Sequence, residues 1–394
     1  MEGIYTLVLL VIIFISYICL GLPDSLLGSA WPSMYGSLGT SEANAGIIMM
    51  ILTGGMILAC LLSDRAIKKI GTGLVAFFSV MLTSAALWGF SFSGSFAVLC
   101  LLAIPLGFGG GSLDASMTNF VALHYKARHM SWLHCFWGVG ASFGPVVLAY
   151  FLERGYSWHV GYRAIGTFQL AFAVLLLIAM PMWKSARRVS ESERNVEQKS
   201  LSVREFIRMR GAKPTLAAFF FYCGLEVTAS LWGSTYLVLI RDIPPETAAR
   251  WISFFYTGIT LGRFFSGFLT IRLPHGKVIG VGQIIIGAGI SAMIFFESGF
   301  PLMASLFLIG LGGGPFFPNM LHMTPDNFGR EHSQSIVGVQ MASAYVGSTL
   351  LPPIFGFLGH RMGYGIFPFF LGAFLLVVVL MTGLVGRNKG EILN

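Results

Sequence analysis

Three acidic side chains stand inside long apolar stretches of the chain, where ionisable groups are costly: Asp24, Asp114 and Glu226. The other fourteen of the seventeen acidic residues lie in polar segments or at the ends of apolar ones. An ionisable group at the centre of a bilayer costs about 2.5 to 3.5 kcal/mol on insertion scales, so it is rare unless it faces a cavity or a partner. Such a carboxyl group offers proton exchange and hydrogen bonding to a polar solute.

Asp24 follows Pro23, which interrupts helical hydrogen bonding, so we expect free carbonyl groups and the carboxylate to face a polar cavity. The alternative is that Asp24 lies near the outer membrane interface and only caps a break in the helix. The first interpretation assigns Asp24 to proton coupling and to substrate binding.

Asp114 and Glu226 differ in the partners that the sequence offers them. Asp114 follows the glycine-rich run 107–111, whose small residues allow close helix approach and leave room for a cavity. A structural ion pair is its alternative, but the first half of the chain has no Lys or Arg at comparable depth. Glu226 has Arg263 in the next apolar stretch, so both substrate contact and ion pairing stay open for it.

Uncharged side chains in other apolar stretches complete the candidate substrate site. An amide or imidazole group can bind a hydroxyl group of a solute, and an indole ring can stack on it. Each can equally form an interhelical hydrogen bond worth about 0.6 kcal/mol. The candidates are Asn119, His134, Trp232, Asn319 and Gln340.

Composition decides what kind of element carries these residues. Of 394 residues, 55% are hydrophobic and 11% are charged, whereas soluble proteins carry about 25% charged residues. The net charge of +8 does not indicate nucleic-acid binding, because Lys and Arg stand in short runs between apolar stretches. Nucleotide-binding and metalloprotease motifs are absent, and the five cysteines lack metal-ligand spacing. We therefore predict an all-α polytopic membrane protein that is not an enzyme and has no cofactor or metal.

The apolar stretches are long enough to cross a hydrocarbon core about 30 Å thick. The first stretch lacks a basic leader and a cleavage site, so we interpret it as a retained membrane span. Windows of about 19 residues predict twelve spans, at 4–34, 44–63, 72–92, 96–120, 131–153, 160–183, 213–240, 248–270, 276–296, 300–322, 333–358 and 363–386.

One long polar stretch divides these spans into two sets of six. It predicts an N-terminal six-helix bundle at 1–183, a cytoplasmic linker at 184–212 and a C-terminal six-helix bundle at 213–394. Glycines recur at a constant offset of 203 residues, which favours a duplicated unit and two pseudo-symmetric bundles. The matched segments are Gly107–Gly111 with Gly310–Gly314, Gly21 with Gly224, and Gly144 with Gly347. Two such halves around a midplane site are typical of secondary transporters of the major facilitator type.

Basic residues set the expected orientation. With the N-terminus inside, nineteen Lys and Arg fall on the inner side and five on the outer side. This bias predicts cytoplasmic termini and a cytoplasmic linker. A multi-span helical protein without a targeting peptide is expected in the cell inner, or plasma, membrane.

The segment 62–69, with the sequence Leu-Ser-Asp-Arg-Ala-Ile-Lys-Lys, resembles the cytoplasmic D-R-x-G-R-[KR] signature of the major facilitator superfamily. Ile67 takes the place of the signature glycine. In that family the acidic and basic residues of this loop latch a cytoplasmic gate, so the resemblance implies gating roles for Asp64 and Arg65. Alternatively, Asp64 and Arg65 are charged residues at the membrane interface that only set the topology.

The fifth predicted span, with its run Leu133 to Ala141, is similar to that of the L-fucose permease branch, a group of proton-coupled monosaccharide importers. That branch carries one acid in span one and one in span four. The resemblance implies proton coupling and substrate recognition at Asp24 and Asp114. This sequence departs from the branch at Thr118, which takes the place of an asparagine, with Asn119 one residue later.

Together these observations predict a secondary active transporter that imports a monosaccharide or a similar small polar solute with a proton. Its partners would be the solute, H⁺ and the lipid bilayer, with Na⁺ as the other ion that a carboxylate can serve, and it would act as a monomer. Two alternatives stay open. One is proton-driven efflux of amphipathic compounds, favoured by the abundant aromatic residues and by Gly144-Pro145. The other is a non-transporting membrane sensor that signals through the loop at 184–213.

Overall fold

The computed structural model describes residues 2–125, 127–183, 203–329 and 333–390. Its regular elements in these ranges are helices, which confirms the all-α prediction. Contacts divide the chain into two compact units, Met1–Asn195 with Asp242–Ser253 and Val196–Arg241 with Phe254–Asn394. Most of the predicted 184–212 linker lies outside the described residues.

The first unit is built from seven described helices and a short 3₁₀ turn at Glu42–Asn44. The helices are α1 (Glu2–Asp24), α2 (Leu26–Met34), α3 (Ala45–Ile70), α4 (Thr72–Phe92), α5 (Phe96–His124), α6 (Ala127–Glu153) and α7 (Trp158–Ile178).

The second unit holds the remaining described helices, except that α10 begins among the residues of the first unit. They are α8 (Val203–Arg208), α9 (Ala212–Arg241), α10 (Pro245–Leu269), α11 (His275–Phe295), α12 (Gly299–Gly313), α13 (Phe316–His322), α14 (Thr324–Phe328), α15 (Ser333–Met362) and α16 (Phe367–Gly390), with a 3₁₀ turn at Tyr364–Ile366.

Eleven of the described helical segments are long and apolar enough to cross a membrane. The first is formed by α1 and α2 together, and the segment Gly299–His322 by α12 and α13. The remaining predicted span, 248–270, corresponds to α10, which has 25 residues and therefore also exceeds the roughly 20 residues that a bilayer requires. Charged residues such as Arg250 and Arg263 lower the hydropathy of α10.

A break between α1 and α2 positions Asp24. Pro23 is the penultimate residue of α1, Asp24 ends the helix, and α2 begins at Leu26. Proline lacks the N–H group that would continue the helical hydrogen bonds. The carboxylate therefore stands at a helix end within the span Leu7–Met34, as the proline predicts.

The same glycine-mediated contact occurs in both units at the predicted offset. In the first unit α5 packs on α3 so closely that a Cβ atom on Gly107 would collide with the carbonyl oxygen of Leu52. In the second unit α12 packs on α10, and a Cβ atom on Gly310 would collide with the carbonyl oxygen of Phe255. Both partners are shifted by 203 residues, which supports the duplicated unit. The pairs Gly111 with Met56 and Gly314 with Ile259 repeat the contact one turn further along.

Each unit has its own apolar core, and each core includes a buried tyrosine that contacts a candidate acid. Tyr17 belongs to the core of the first unit together with Leu113 and Phe172. Tyr222 belongs to a core of the second unit, where its ring stacks on Phe316 at 4.0 Å between centroids. Close packing holds both hydroxyl groups in fixed positions.

Candidate functional site

The carboxylate at the end of α1 is held by an indole group of α6. Trp137 Nε1 donates a hydrogen bond of 2.8 Å to Asp24 Oδ2, and Asp24 is exposed within the first unit. Gly21, one turn before Asp24, lies against the backbone of Trp137 and Ala141 so closely that a Cβ atom would not fit. Glycine at this position thus brings α1 and α6 close enough for the hydrogen bond.

Two turns earlier on α1, Tyr17 contacts the second acid. Tyr17 is 1% exposed, and its hydroxyl group donates to Asp114 Oδ1 of α5 at 2.6 Å. The Thr118 hydroxyl lies 2.6 Å from the same Tyr17 oxygen and 3.3 Å from Asp114 Oδ1. Thr118 can donate to Tyr17 while Tyr17 donates to the carboxylate, so the two hydroxyl groups form a chain that ends on Asp114.

His134 and Asn119 lie at different distances from this chain of hydroxyl groups. The His134 ring meets the Tyr17 ring edge to face, with 5.8 Å between centroids, so His134 lies beside Tyr17. Asn119 is exposed, and among the described residues its side chain makes no hydrogen bond. Thr118, and not Asn119, is therefore the side chain that shares the face of Asp114, because it lies four residues further along the helix.

These residues form one cluster on α1, α5 and α6, which we call the acid cluster: Tyr17, Asp24, Asp114, Thr118, His134 and Trp137. It combines two carboxyl groups, two hydroxyl groups, an imidazole and an indole. Carboxylate oxygens accept hydrogen bonds from solute hydroxyls, and an indole presents both a donor and a flat apolar surface. The cluster is therefore suited chemically to a small polyhydroxylated solute and to proton exchange.

Glu226 is the centre of a second group of polar side chains, on α9 and α10. Tyr222, one turn earlier, donates to Glu226 Oε2 at 2.6 Å, and Arg263 Nη2 lies 3.5 Å from Glu226 Oε1. The side chains of Glu226 and Arg263 are 18% and 15% exposed. The structure thus forms the ion pair that the sequence offered as one of two alternatives, while leaving part of the carboxylate accessible.

Asn319 is engaged elsewhere in the second unit. Its amide nitrogen donates to Ser266 Oγ at 2.7 Å and to the Pro315 carbonyl at 2.6 Å, and its oxygen lies 2.6 Å from His275 Nδ1. The side chain is buried, and both of its N–H groups are used. Asn319 therefore ties α13 to α10 and α11.

Gln340 and Trp232 are likewise buried in separate contacts. Gln340 Oε1 accepts a hydrogen bond of 2.9 Å from Thr324, while its Nε2 has no partner among the described residues. Trp232 is 0% exposed and donates from Nε1 to the Pro352 carbonyl at 2.8 Å. Of the residues predicted in the second half, Glu226 alone combines a charge with partial exposure.

The predicted gate residues stand near the end of α3. Arg65 is exposed, whereas the side chain of Asp64 lies outside what the structure describes. Their gating roles stay a prediction.

Sequence reasoning did not pair the acids with their aromatic partners. Tyr222 was recognisable, because a tyrosine four residues before Glu226 shares one helix face with it. Tyr17 and Trp137 had no comparable signal, because they lie 97 and 113 residues from their partners Asp114 and Asp24.

Comparison with known proteins gives a consistent result. The family model described as Major Facilitator Superfamily matches residues 13–250 and 215–392. The chain is 23% identical over 394 residues to "Bypass of stop codon protein 6" of Saccharomyces cerevisiae, covering 90% of this chain and 77% of that protein. It is 22% identical over 378 residues to the glucose/mannose transporter GlcP of Bacillus subtilis, covering 92% of this chain and 91% of that protein. Among solved structures, a variant of the nucleoside transporter NupG superposes with a TM-score of 0.76 at 13% identity, over 96% of this chain and 98% of that one.

Proposed function

The chain belongs to the Major Facilitator Superfamily and is a multi-span membrane transporter, and on that premise we propose that it imports a monosaccharide together with a proton by alternating access. The observation that carries this proposal is the acid cluster. It holds two carboxyl groups in one unit: Asp24 accepts a hydrogen bond from Trp137, and Asp114 accepts one from Tyr17. One of these groups is available for a proton while the other binds a hydroxyl group of the solute.

The proposed substrate class rests on two supports. The first is the similarity to the glucose/mannose transporter of Bacillus subtilis along almost the whole chain. The second is the mixture of acceptors, hydroxyl groups and aromatic surface at Asp24, Asp114 and Trp137. A sugar presents several hydroxyl groups and apolar C–H faces, which these groups complement. His134 within the cluster, and Asn119 next to Thr118 on α5, are proposed as further contacts to the solute.

The proposed coupling follows from the cost of a charge in a dry site. A carboxylate without water or a cation strongly resists closure of the protein around it. Protonation removes the charge, so the proton and the solute bind together before the site changes its access. Asp114 and Asp24 are the proton-coupling residues in this scheme, and Na⁺ would serve the same carboxylates if the coupling ion were different.

In the second unit we assign a direct solute contact to Glu226, which keeps partial exposure next to Arg263. Trp232, Asn319 and Gln340 support the site through the helix contacts described above. We retain the predicted bundles at 1–183 and 213–394 with the linker between them, and the gating roles of Asp64 and Arg65. We also propose that the protein acts as a monomer in the inner membrane and that both of its termini are cytoplasmic.

The first experiment is uptake of a panel of labelled monosaccharides into proteoliposomes, with and without an imposed inward proton gradient. We expect accumulation of one sugar above its equilibrium level only with the gradient. Uptake of no sugar, with or without Na⁺, would refute the substrate class. Accumulation that depends on Na⁺ alone would refute proton coupling.

The second experiment uses Asp114→Asn, which keeps the shape of the side chain but cannot exchange a proton. We expect this variant to lose gradient-driven accumulation and to retain exchange of labelled for unlabelled sugar. Glu297→Gln is the matched control, because it also replaces a carboxyl group with a carboxamide, but at an exposed position outside the membrane spans. Undiminished accumulation by Asp114→Asn would refute the role of Asp114.

A further inference from the structure

A guanidinium group lies among aromatic rings at one end of the first unit. Arg163 of α7 places Cζ 4.7 Å from the ring centroid of Phe92 and 5.9 Å from that of Trp88, both on α4. The two helices are joined at this point, since Ser84 Oγ of α4 donates to the Gly166 carbonyl of α7 at 2.8 Å. Rings at these distances attract a cation, but they do not accept its N–H groups as an oxygen does.

Arg163 lacks the partners that other arginines of the chain have. Within the described residues, its buried Nε has no acceptor and no carboxylate pairs with the guanidinium. By contrast, Arg241 donates to the Tyr236 hydroxyl and to the Met293 carbonyl. Arg154 donates to the Tyr150 carbonyl at 3.3 Å. A partly buried cation without an oxygen partner is costly, so we expect its acceptor to come from outside the chain.

Further along both helices from the Arg163 end, several large apolar side chains are exposed. On α7 this surface includes Val174 and Ile178, which are 52% and 71% exposed, and on α4 it includes Phe92 and Phe78, which are 68% and 57% exposed. Residues spaced three or four apart share a helix face, and Val174 and Ile178 stand about three and four turns from Arg163 on the same face of α7. In a membrane-spanning chain, apolar side chains that no other helix covers face lipid tails.

Arg163 also stands near the end of a membrane-spanning helix, where we expect lipid headgroups. Arg163 is the sixth residue of α7, about 8 Å from the helix start at 1.5 Å per residue, and Phe92 is the last residue of α4. Arginine near a helix end directs its charge to the interface, and Trp and Tyr are enriched at the same level.

We propose that the surface formed by the adjoining ends of α4 and α7 binds an anionic phospholipid. Its phosphate accepts hydrogen bonds from Arg163, and its acyl chains lie along the exposed apolar faces of the two helices. A planar guanidinium suits this ligand, because it binds the oxygens of a phosphate in a bidentate manner. A lipid suits the site better than free phosphate, because Phe92 beside the guanidinium, and Val174 and Ile178 further along α7, are exposed apolar side chains.

The test is lipid binding to the purified full-length protein by native mass spectrometry, with phosphatidylglycerol and phosphatidylcholine as probes. We expect wild type to bind one phosphatidylglycerol more tightly than phosphatidylcholine. We expect Arg163→Met to weaken that binding at least about tenfold, as loss of a charge-assisted contact implies. The matched control is Arg154→Met, which removes an arginine of the same unit that already donates to Tyr150. It should bind phosphatidylglycerol as wild type does.

Further variants and probes make the outcome decisive. Arg163→Lys keeps the charge and the aliphatic stem, so it should bind phosphatidylglycerol more tightly than Arg163→Met, and an equal loss would overturn the role of the charge. The proposed site would be refuted if Arg163→Met bound phosphatidylglycerol as tightly as wild type. It would also be refuted if Arg154→Met lost as much affinity as Arg163→Met. Displacement of phosphatidylglycerol by millimolar inorganic phosphate would show a simple anion site and would also overturn the proposal.

Discussion

The hydrogen bond between Tyr17 and Asp114 gives the sharpest prediction for this protein. Tyr17→Phe removes one oxygen atom and leaves the ring in its core position, where it is 1% exposed. The lost hydroxyl lies 2.6 Å from Asp114 Oδ1 and 2.6 Å from Thr118 Oγ1. After the change, Asp114 keeps only the longer contact of 3.3 Å with Thr118 among these three contacts.

The size of the effect follows from the kind of hydrogen bond. A hydrogen bond to a charged group contributes about 1.5 to 3 kcal/mol. For a unit of roughly 150 to 250 residues, 1 kcal/mol changes Tm by about 2 to 4 °C. The product of these two ranges predicts that Tyr17→Phe lowers the Tm by about 3 to 12 °C. Because the Asp114 carboxyl loses its orientation, gradient-driven uptake should fall as well.

Tyr162→Phe is the matched control for this prediction. Tyr162 is also 1% exposed and lies in the same unit, but its hydroxyl has no hydrogen-bond partner within the described residues. Removal of an unpartnered buried hydroxyl costs nothing in hydrogen bonds and relieves a desolvation penalty. Its Tm should equal that of wild type or rise.

The assay is thermal unfolding followed with a thiol-reactive fluorescent dye. Cys19 and Cys223 are buried free thiols, so they react when the helices separate. Equal melting temperatures for Tyr17→Phe and Tyr162→Phe would refute the assigned hydrogen bond. A lower Tm with unchanged transport would refute its link to the function of Asp114.

Three further predictions concern the second unit. Gly310→Ala should lower the Tm, because a Cβ atom would collide with the α10 backbone, whereas Gly280→Ala, with open space around it, should not. Removing either partner of the pair Glu226 and Arg263 should lower the free energy of unfolding by about 3 to 5 kcal/mol, as for other largely buried pairs. Replacing both residues with apolar ones should lower it by less. A double-mutant cycle that shows no coupling energy would contradict the ion pair. Trp232→Phe should lower stability by about 1 kcal/mol through loss of its hydrogen bond and leave the KM for the solute unchanged, and a raised KM would reveal a direct contact instead.

The elements of the fold could be predicted closely from the sequence. Long apolar stretches specify spans because a bilayer requires each backbone polar group to be satisfied within its own helix. The glycine offset predicted a duplicated helix contact. In the structure Gly107 packs against the backbone of Leu52, and Gly310 packs against the backbone of Phe255. These features are local in sequence, so no knowledge of distant packing was needed.

The candidate site was predicted only in part. The intramembrane acids were recognisable from their cost in an apolar stretch, and Arg263 was recognisable as a partner of Glu226. Asn319 and Trp232 were grouped with them by residue type, yet each is engaged in its own buried contact. Residue type alone does not distinguish a side chain that binds a neighbouring helix from one that is available to a solute.

The sequence by itself determined where the helices lie and which of them carry charge, because hydropathy and glycine spacing act along a single chain segment. Only the tertiary structure decided that Tyr17 donates to Asp114 and Trp137 to Asp24. The rotation of each helix about its axis decides such pairs. A helix that is apolar on most of its faces carries little periodic signal that would specify this rotation. Packing of α1 against α5 and α6 supplies the missing information and brings the two carboxyl groups into one cluster.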